Sequence, residues 1–133
     1  MKIDSSIIIK ANAAIEDAKI INNGQYDKVF KGYISSFGAS IAQAGLLPTL
    51  IFYENKSDKA SERPKVVSAL KKMLPEEYQV DSLARFLLEK KKEDAKKYKS
   101  EEKKLLKLVT NAMVAIKLAL RMYEEKKDRE GRS

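Results

Sequence analysis

From Leu105 to Tyr123 the apolar residues of this chain recur at spacings of three and four, as Leu105, Leu108, Val109, Ala112, Ile116, Ala119, Leu120 and Tyr123, widened by Met113 and Met122. That period places them on one face of an α-helix. So long and broad a stripe needs other apolar faces to cover it, and it predicts a long C-terminal helix forming the spine of a helical bundle. Lys107, Asn111, Lys117 and Arg121 interrupt the same stretch. No apolar run in the chain approaches the ~20 residues needed to cross a bilayer, so a membrane partner is not expected.

The remaining segments fit that architecture. Ile7, Ile8, Ala11, Ala14, Ile15 and Ala18 describe a first helix, which Ser5 and Ser6 are expected to cap and Asn22-Asn23-Gly24 to stop. A second helix is predicted from Gln25 to Gly45, with Tyr26, Val29, Phe30, Tyr33, Phe37, Ile41 and Ala44 inward and Lys28, Lys31 and Ser35 outward. Leu47-Pro48 reads as the start of a short, almost wholly apolar and therefore buried helix, with Pro48 at its first position. Lys56 to Arg63 reads as a surface loop. Pro64 opens a helix with Val66, Val67, Leu70 and Met73 inward; Pro75 breaks it, and Asp81-Ser82 caps another through Leu83, Phe86 and Leu87.

Residues 89–104 are mostly lysine and glutamate and read as an exposed helix. No segment alternates as a strand does over a useful length, and neither a repeat nor a shift in composition divides the chain. The expectation is an all-α fold: a single-domain bundle of about five to six helices over residues 1–125 with a long C-terminal helix, then a frayed polar tail over residues 126–133.

The residue types that are missing narrow the function. With no cysteine and no histidine, the chain lacks the usual thiolate nucleophile, the neutral-pH acid or base and the commonest zinc ligand. Glu76-Glu77 and Glu124-Glu125 are adjacent and splay apart on a helix, and the five glycines form no phosphate-cradling loop. The reading is a protein that is not an enzyme, with no catalytic residues, no cofactor and no metal. Asp4 interrupts the amino-terminal stretch from Lys2 to Ile9 and no signal-like apolar region follows, which points to the cytoplasm.

Charge supplies the positive clue. The 27 lysines and arginines exceed the 19 acidic residues, for a formal charge of +8, which suggests a polyanionic partner. On the final helix Lys103, Lys107, Lys117 and Arg121 fall within about 80° of one another, a stripe able to follow a phosphate backbone. Lys28 and Lys31 on the second helix lie beside Tyr26 and Tyr33, either of which could stack on a base. The bland alternative is that these long cations only solvate the outer face of a bundle. Lysines 90–92, 96, 97 and 99 are diluted by acidic neighbours and read as a solvated face.

The stretch YDKVFKGYISSFGASIAQAGLLPTLIFY, residues 26–53, resembles the small-subunit family of type III-B CRISPR (Cmr) effector complexes, with Gly45, Leu46, Thr49, Leu50 and Phe52 carrying the pattern. LVTNAMVAIKLALRMYEE, residues 108–125, is similar to that family's closing helix, with Thr110 near its start and Lys117 and Arg121 outward. The resemblance implies a non-catalytic subunit in antiviral defence that stacks on copies of itself as an inner filament. Its partners would be the backbone subunits, the target RNA and the guide–target duplex. RNA phosphates would then meet Lys28, Lys31, Lys103, Lys107, Lys117 and Arg121, without reading sequence. Three rivals are a small subunit of a type III-A complex, a helical protein adaptor without RNA contact, and a ribonuclease using Lys and Glu. The glycine break at Gly45 also has a meaning of its own: two helices cross closely there and are expected to bury Leu46, Leu50 and Phe52.

Overall fold

The computed structural model describes residues 4–57 and 61–127. Among these, six α-helices, one 3-10 turn and a small three-stranded sheet follow the order α1 (Ser5–Asp17), β1 (Ile21–Asn22), β2 (Gln25–Tyr26), α2 (Lys28–Ala44), α3 (Leu46–Glu54), α4 (Arg63–Lys72), the 3-10 turn (Glu76–Tyr78), α5 (Leu83–Glu93), α6 (Ala95–Leu120) and β3 (Glu124–Glu125). The fold is all-α with a long C-terminal helix. Lys2, part of the loop at residues 58–60 and the tail from residue 128 lie outside the described residues.

α6 is the spine that its periodicity predicts, but it ends at Leu120, so Met122 and Tyr123 lie beyond the helix and Met122 is exposed. Leu105, Val109, Ala112, Met113, Ala115, Ile116, Ala119 and Leu120 are buried along it, and each larger side chain in such a row stabilises the fold by about 1.5–3 kcal/mol. α1 and α5 pack along α6, α2 crosses it, and the buried side chains of all six helices join one core cluster.

Several local expectations are corrected. The carboxylate of Asp4, and not Ser5 or Ser6, caps α1 by accepting from the Ile7 amide at 3.2 Å. α2 begins at Lys28, not Gln25, because Asp27 takes the cap position and accepts from the Val29 amide at 3.0 Å. Gln25 and Tyr26 are released into β2, which pairs antiparallel with β1 and parallel with β3. Asn23 and Gly24, both at positive φ, make the tight turn between β1 and β2. Two-residue strands are too short to leave an alternating pattern, which is why the sequence conceals them.

Pro48 stands third in α3, since Gly45 adopts φ 95°, ψ 168° and the helix starts at Leu46. Nor is α3 buried all round. Leu46, Thr49, Leu50 and Tyr53 face the core, whereas Ile51 and Phe52 face solvent, so Phe52 does not pack with Leu46 and Leu50. The inner face is anchored by polar contacts too: the Thr49 hydroxyl donates to Gly45 O at 2.9 Å and lies 2.7 Å from Ser40 Oγ, and Tyr53 Oη donates to Tyr33 O at 2.6 Å.

The charged stretch 89–104 is helical and largely exposed, but it is split. Asp94 is extended at φ −168°, ψ 129°, ends α5 and caps α6 through the Lys96 amide at 2.8 Å. The final helix therefore begins at Ala95, ten residues before its apolar stripe.

Candidate functional site

Two helices that are distant in sequence bring three of the six predicted cations together. Lys31 and Ser35 lie one turn apart on α2, and Lys117 and Arg121 one turn apart at the end of α6. Where α2 crosses α6 these four side chains surround a cavity of about 260 Å³, floored by the buried Tyr26, Ile34 and Leu120. The floor follows from periodicity: Ile34 and Leu120 belong to the core faces of their helices, so the residues flanking them stand at the rim. Ser35 is the residue that sequence reasoning places beside the cations without giving it a role. Its hydroxyl can donate to an anionic oxygen.

Lys31, Lys117 and Arg121 are exposed, and the ion pairs among the described residues engage other lysines: Lys65 with Glu62, Lys92 with Glu89 and Lys104 with Glu77. Glu125 stands opposite Tyr26 in the β2–β3 register, one strand from the cavity wall. The cluster is thus cationic with a carboxylate close by. An anion seated there would gain charge-assisted hydrogen bonds from a guanidinium and two ammonium groups.

The other three cations stand apart. Lys28 is exposed at the first position of α2, one turn before Lys31 and within about 60° of it around the helix. Lys107 and Lys103 precede Lys117 by ten and fourteen residues, about 15 and 21 Å along α6. Both are exposed. The six residues accordingly form a concave cluster of three with a neighbour on α2 and a separate pair up the spine. Neither tyrosine offers a free ring: Tyr26 is buried in the cavity floor, and the Arg63 guanidinium lies 5.0 Å from the Tyr33 ring centroid.

Among the described residues no group of three or more carboxylates is placed to hold a metal ion, and no helix is long and apolar enough to cross a membrane. Elsewhere the perturbed side chains serve the fold. Burial first and the hydrogen bond to Glu102 second push the Tyr98 phenol up to about 12, with Tyr98 Oη donating to Glu102 at 2.6 Å. Lys104 is raised by its contact with Glu77 at 2.8 Å.

Comparison with known families decides the assignment. The family model described as CRISPR-associated protein (Cas_Cmr5) matches residues 9–115. The chain belongs to this Cmr5 family. Cmr5 is the small-subunit family of type III-B complexes, so the match favours the Cmr reading over the type III-A one. The Cmr5 match spans α1 to most of α6 and includes Lys28, Lys31, Lys103 and Lys107. It ends two residues before Lys117, so two of the three clustered cations lie beyond it. No curated protein and no solved structure matches the chain.

Proposed function

We propose that this Cmr5-family chain is a non-catalytic small subunit of a type III-B effector complex that holds RNA by its phosphates. It would work in the cytoplasm in antiviral defence, as one domain reaching to residue 125, stacked on copies of itself beside the backbone subunits. Target RNA, or the guide–target duplex, would pass over the crossing of α2 and α6. The observation that carries this reading is the convergence of Lys31, Lys117 and Arg121, with Ser35, on one cavity in a chain of formal charge +8. Convergence supports a phosphate grip better than a solvated face, because three like charges around one concavity repel one another and a bound anion relieves that repulsion. Lys28, Lys103 and Lys107 would extend the contact in both directions.

Copies carrying that charge repel one another, so stacking would be strongest along a polyanion that neutralises them. The lysines would displace counterions from the RNA without reading base edges, as suits a subunit that must accept any target sequence.

The test is binding of the purified chain to single-stranded RNA across a salt series. Three phosphate contacts predict that combined Lys31→Glu, Lys117→Glu and Arg121→Glu changes make the negative slope of log affinity against log salt shallower by about 2. Lys103→Glu with Lys107→Glu is expected to make it shallower by about 1. Circular dichroism should be unchanged in both, since all five side chains are exposed. Unaltered affinity and slope in the triple variant would refute the phosphate site and favour the adaptor reading, in which the chain contacts protein alone.

A further inference from the structure

α3 is apolar on both sides, and only one side is used. Leu46, Thr49, Leu50 and Tyr53 enter the core, while Pro48, Ile51 and Phe52, related by steps of three and four, form a second stripe. This outer stripe faces Leu88 of α5 across an open groove of about 1050 Å³, whose floor includes Pro64 and Val67 of α4. Ile51, Phe52 and Leu88 are 50%, 54% and 40% exposed. A helix that is hydrophobic all round belongs in an interior, so a face left open on it marks a surface that another molecule covers. The groove lies at the upper end of the roughly 300–1,000 Å³ of drug-sized sites and is open to solvent, which suits a polypeptide.

The polar rim specifies what kind. Lys56, Lys71 and Arg85 border the groove, against Glu54 and Asp81. Glu54 is already engaged, accepting from Ser82 Oγ and the Leu83 amide at 2.7 Å each. Lys71 Nζ donates to Val80 O at 2.8 Å and Asp81 O at 3.3 Å, which fixes its charge beside the groove without cancelling it. Among the described residues neither Lys56 nor Arg85 pairs with a carboxylate. Glu54 keeps its charge in the same way, so among the described residues the rim carries three cations against two carboxylates, and its unpaired Lys56 and Arg85 call for an acidic occupant. A second copy of this chain is a poor match, because it carries a formal charge of +8 and brings the same cationic rim. The walls are helices with no unpaired strand edge, so an incoming segment would dock by side chains, as a helix laid in a groove does.

We infer that the α3–α4–α5 groove is a docking site for an acidic amphipathic helix of another protein, with apolar residues at helical spacing on Ile51, Phe52 and Leu88 and carboxylates against Lys56 and Arg85. This rests on the reading of the chain as a subunit of a Cmr complex, which supplies the partner. The Arg63 guanidinium, 4.5 Å from the Phe52 ring centroid, holds that ring in place as an anchor.

The experiment introduces p-benzoylphenylalanine at Phe52, assembles the complex with its guide RNA, irradiates it and maps the adduct by mass spectrometry. The expected adduct joins the chain to a segment of a different subunit in which Asp and Glu outnumber Lys and Arg. Arg85→Glu should cut its yield by about tenfold, the loss of one interfacial charge pair. An adduct with a second copy, with RNA or with a basic segment, or no adduct in an assembled complex, overturns the proposal. Failure of the unmodified chain to co-purify with the other subunits would instead overturn the subunit reading, and this inference with it.

Discussion

At the scale of single residues, Gly45 carries the sharpest backbone demand among the described residues. Its φ of 95° with ψ of 168° lies in a region that residues with a Cβ avoid, and it lets α3 begin one residue after α2 has ended. A Cβ built there would meet only Pro48 Cδ, at 3.8 Å, an ordinary contact. Any cost of Gly45→Ala is therefore conformational and not steric, and is expected to be about 1–3 kcal/mol. Urea unfolding of the two proteins would measure it. Asparagine should rescue little, because the left-handed helical region it tolerates has ψ near 45°, far from the value here. The cost reaches beyond the turn, since Gly45 O accepts from Thr49 Oγ1, and Thr49 in turn meets Ser40 on α2.

Among elements, the junction of α3 with α5 shows how the helices are tied. Glu54, in the last turn of α3, presents its two carboxylate oxygens to Ser82 Oγ and the Leu83 amide, at the positive end of α5. Glu54→Gln keeps an acceptor but loses the charge, and is expected to cost about 1 kcal/mol, whereas Glu54→Ala leaves these donors unmet and should cost about 2 kcal/mol. Thermal unfolding checks both, and a double-mutant cycle with Ser82→Ala should be non-additive because the two residues share one hydrogen bond. Such ties decide what the sequence discloses. The apolar period of α6, the break at Gly45 and the cap at Ser82 are local and legible. The three short strands, the turning of Phe52 to solvent and the contact from Glu54 to Ser82 depend on partners supplied by the fold. The site divides in the same way: the α6 stripe and the lysines of α2 are visible as spacing, but nothing in the spacing says that Lys117 and Arg121 close on Lys31 and Ser35 while Lys103 stands about 21 Å away.

For the whole molecule, the absence of histidine and cysteine leaves no side chain with an ordinary pKa between about 5 and 8, so stability should be nearly flat across that range. The limits lie outside it. Asp4 is held below its usual value by the Ser6 hydroxyl and the Ile7 amide, so its contribution is present above pH 3.8 and is lost as pH falls through the lower folded value. On the alkaline side, Tyr53, Tyr78, Tyr98 and Tyr123 are all raised, burial being the largest cause in each. A phenol whose folded pKa exceeds its unfolded one adds stability that is complete below pH 10 and disappears as pH rises through the folded value, which for Tyr98 is about 12. The urea midpoint is thus expected to hold steady from pH 5 to 8 and to fall steeply above pH 10 as the four phenols are drawn into ionising. Tyr78 is the case to test, since its hydroxyl is buried with no hydrogen bond of good geometry among the described residues, while the neighbouring Glu101 carboxylate adds to burial in raising its pKa. Tyr78→Phe removes that unmet group and should raise stability at neutral pH by about 1 kcal/mol. It should also make the alkaline fall shallower, because one fewer ionisation is then coupled to unfolding. A Tyr78→Phe protein less stable than wild type at pH 7 would mean that the hydroxyl has a partner, with the neighbouring Glu101 carboxylate the first candidate.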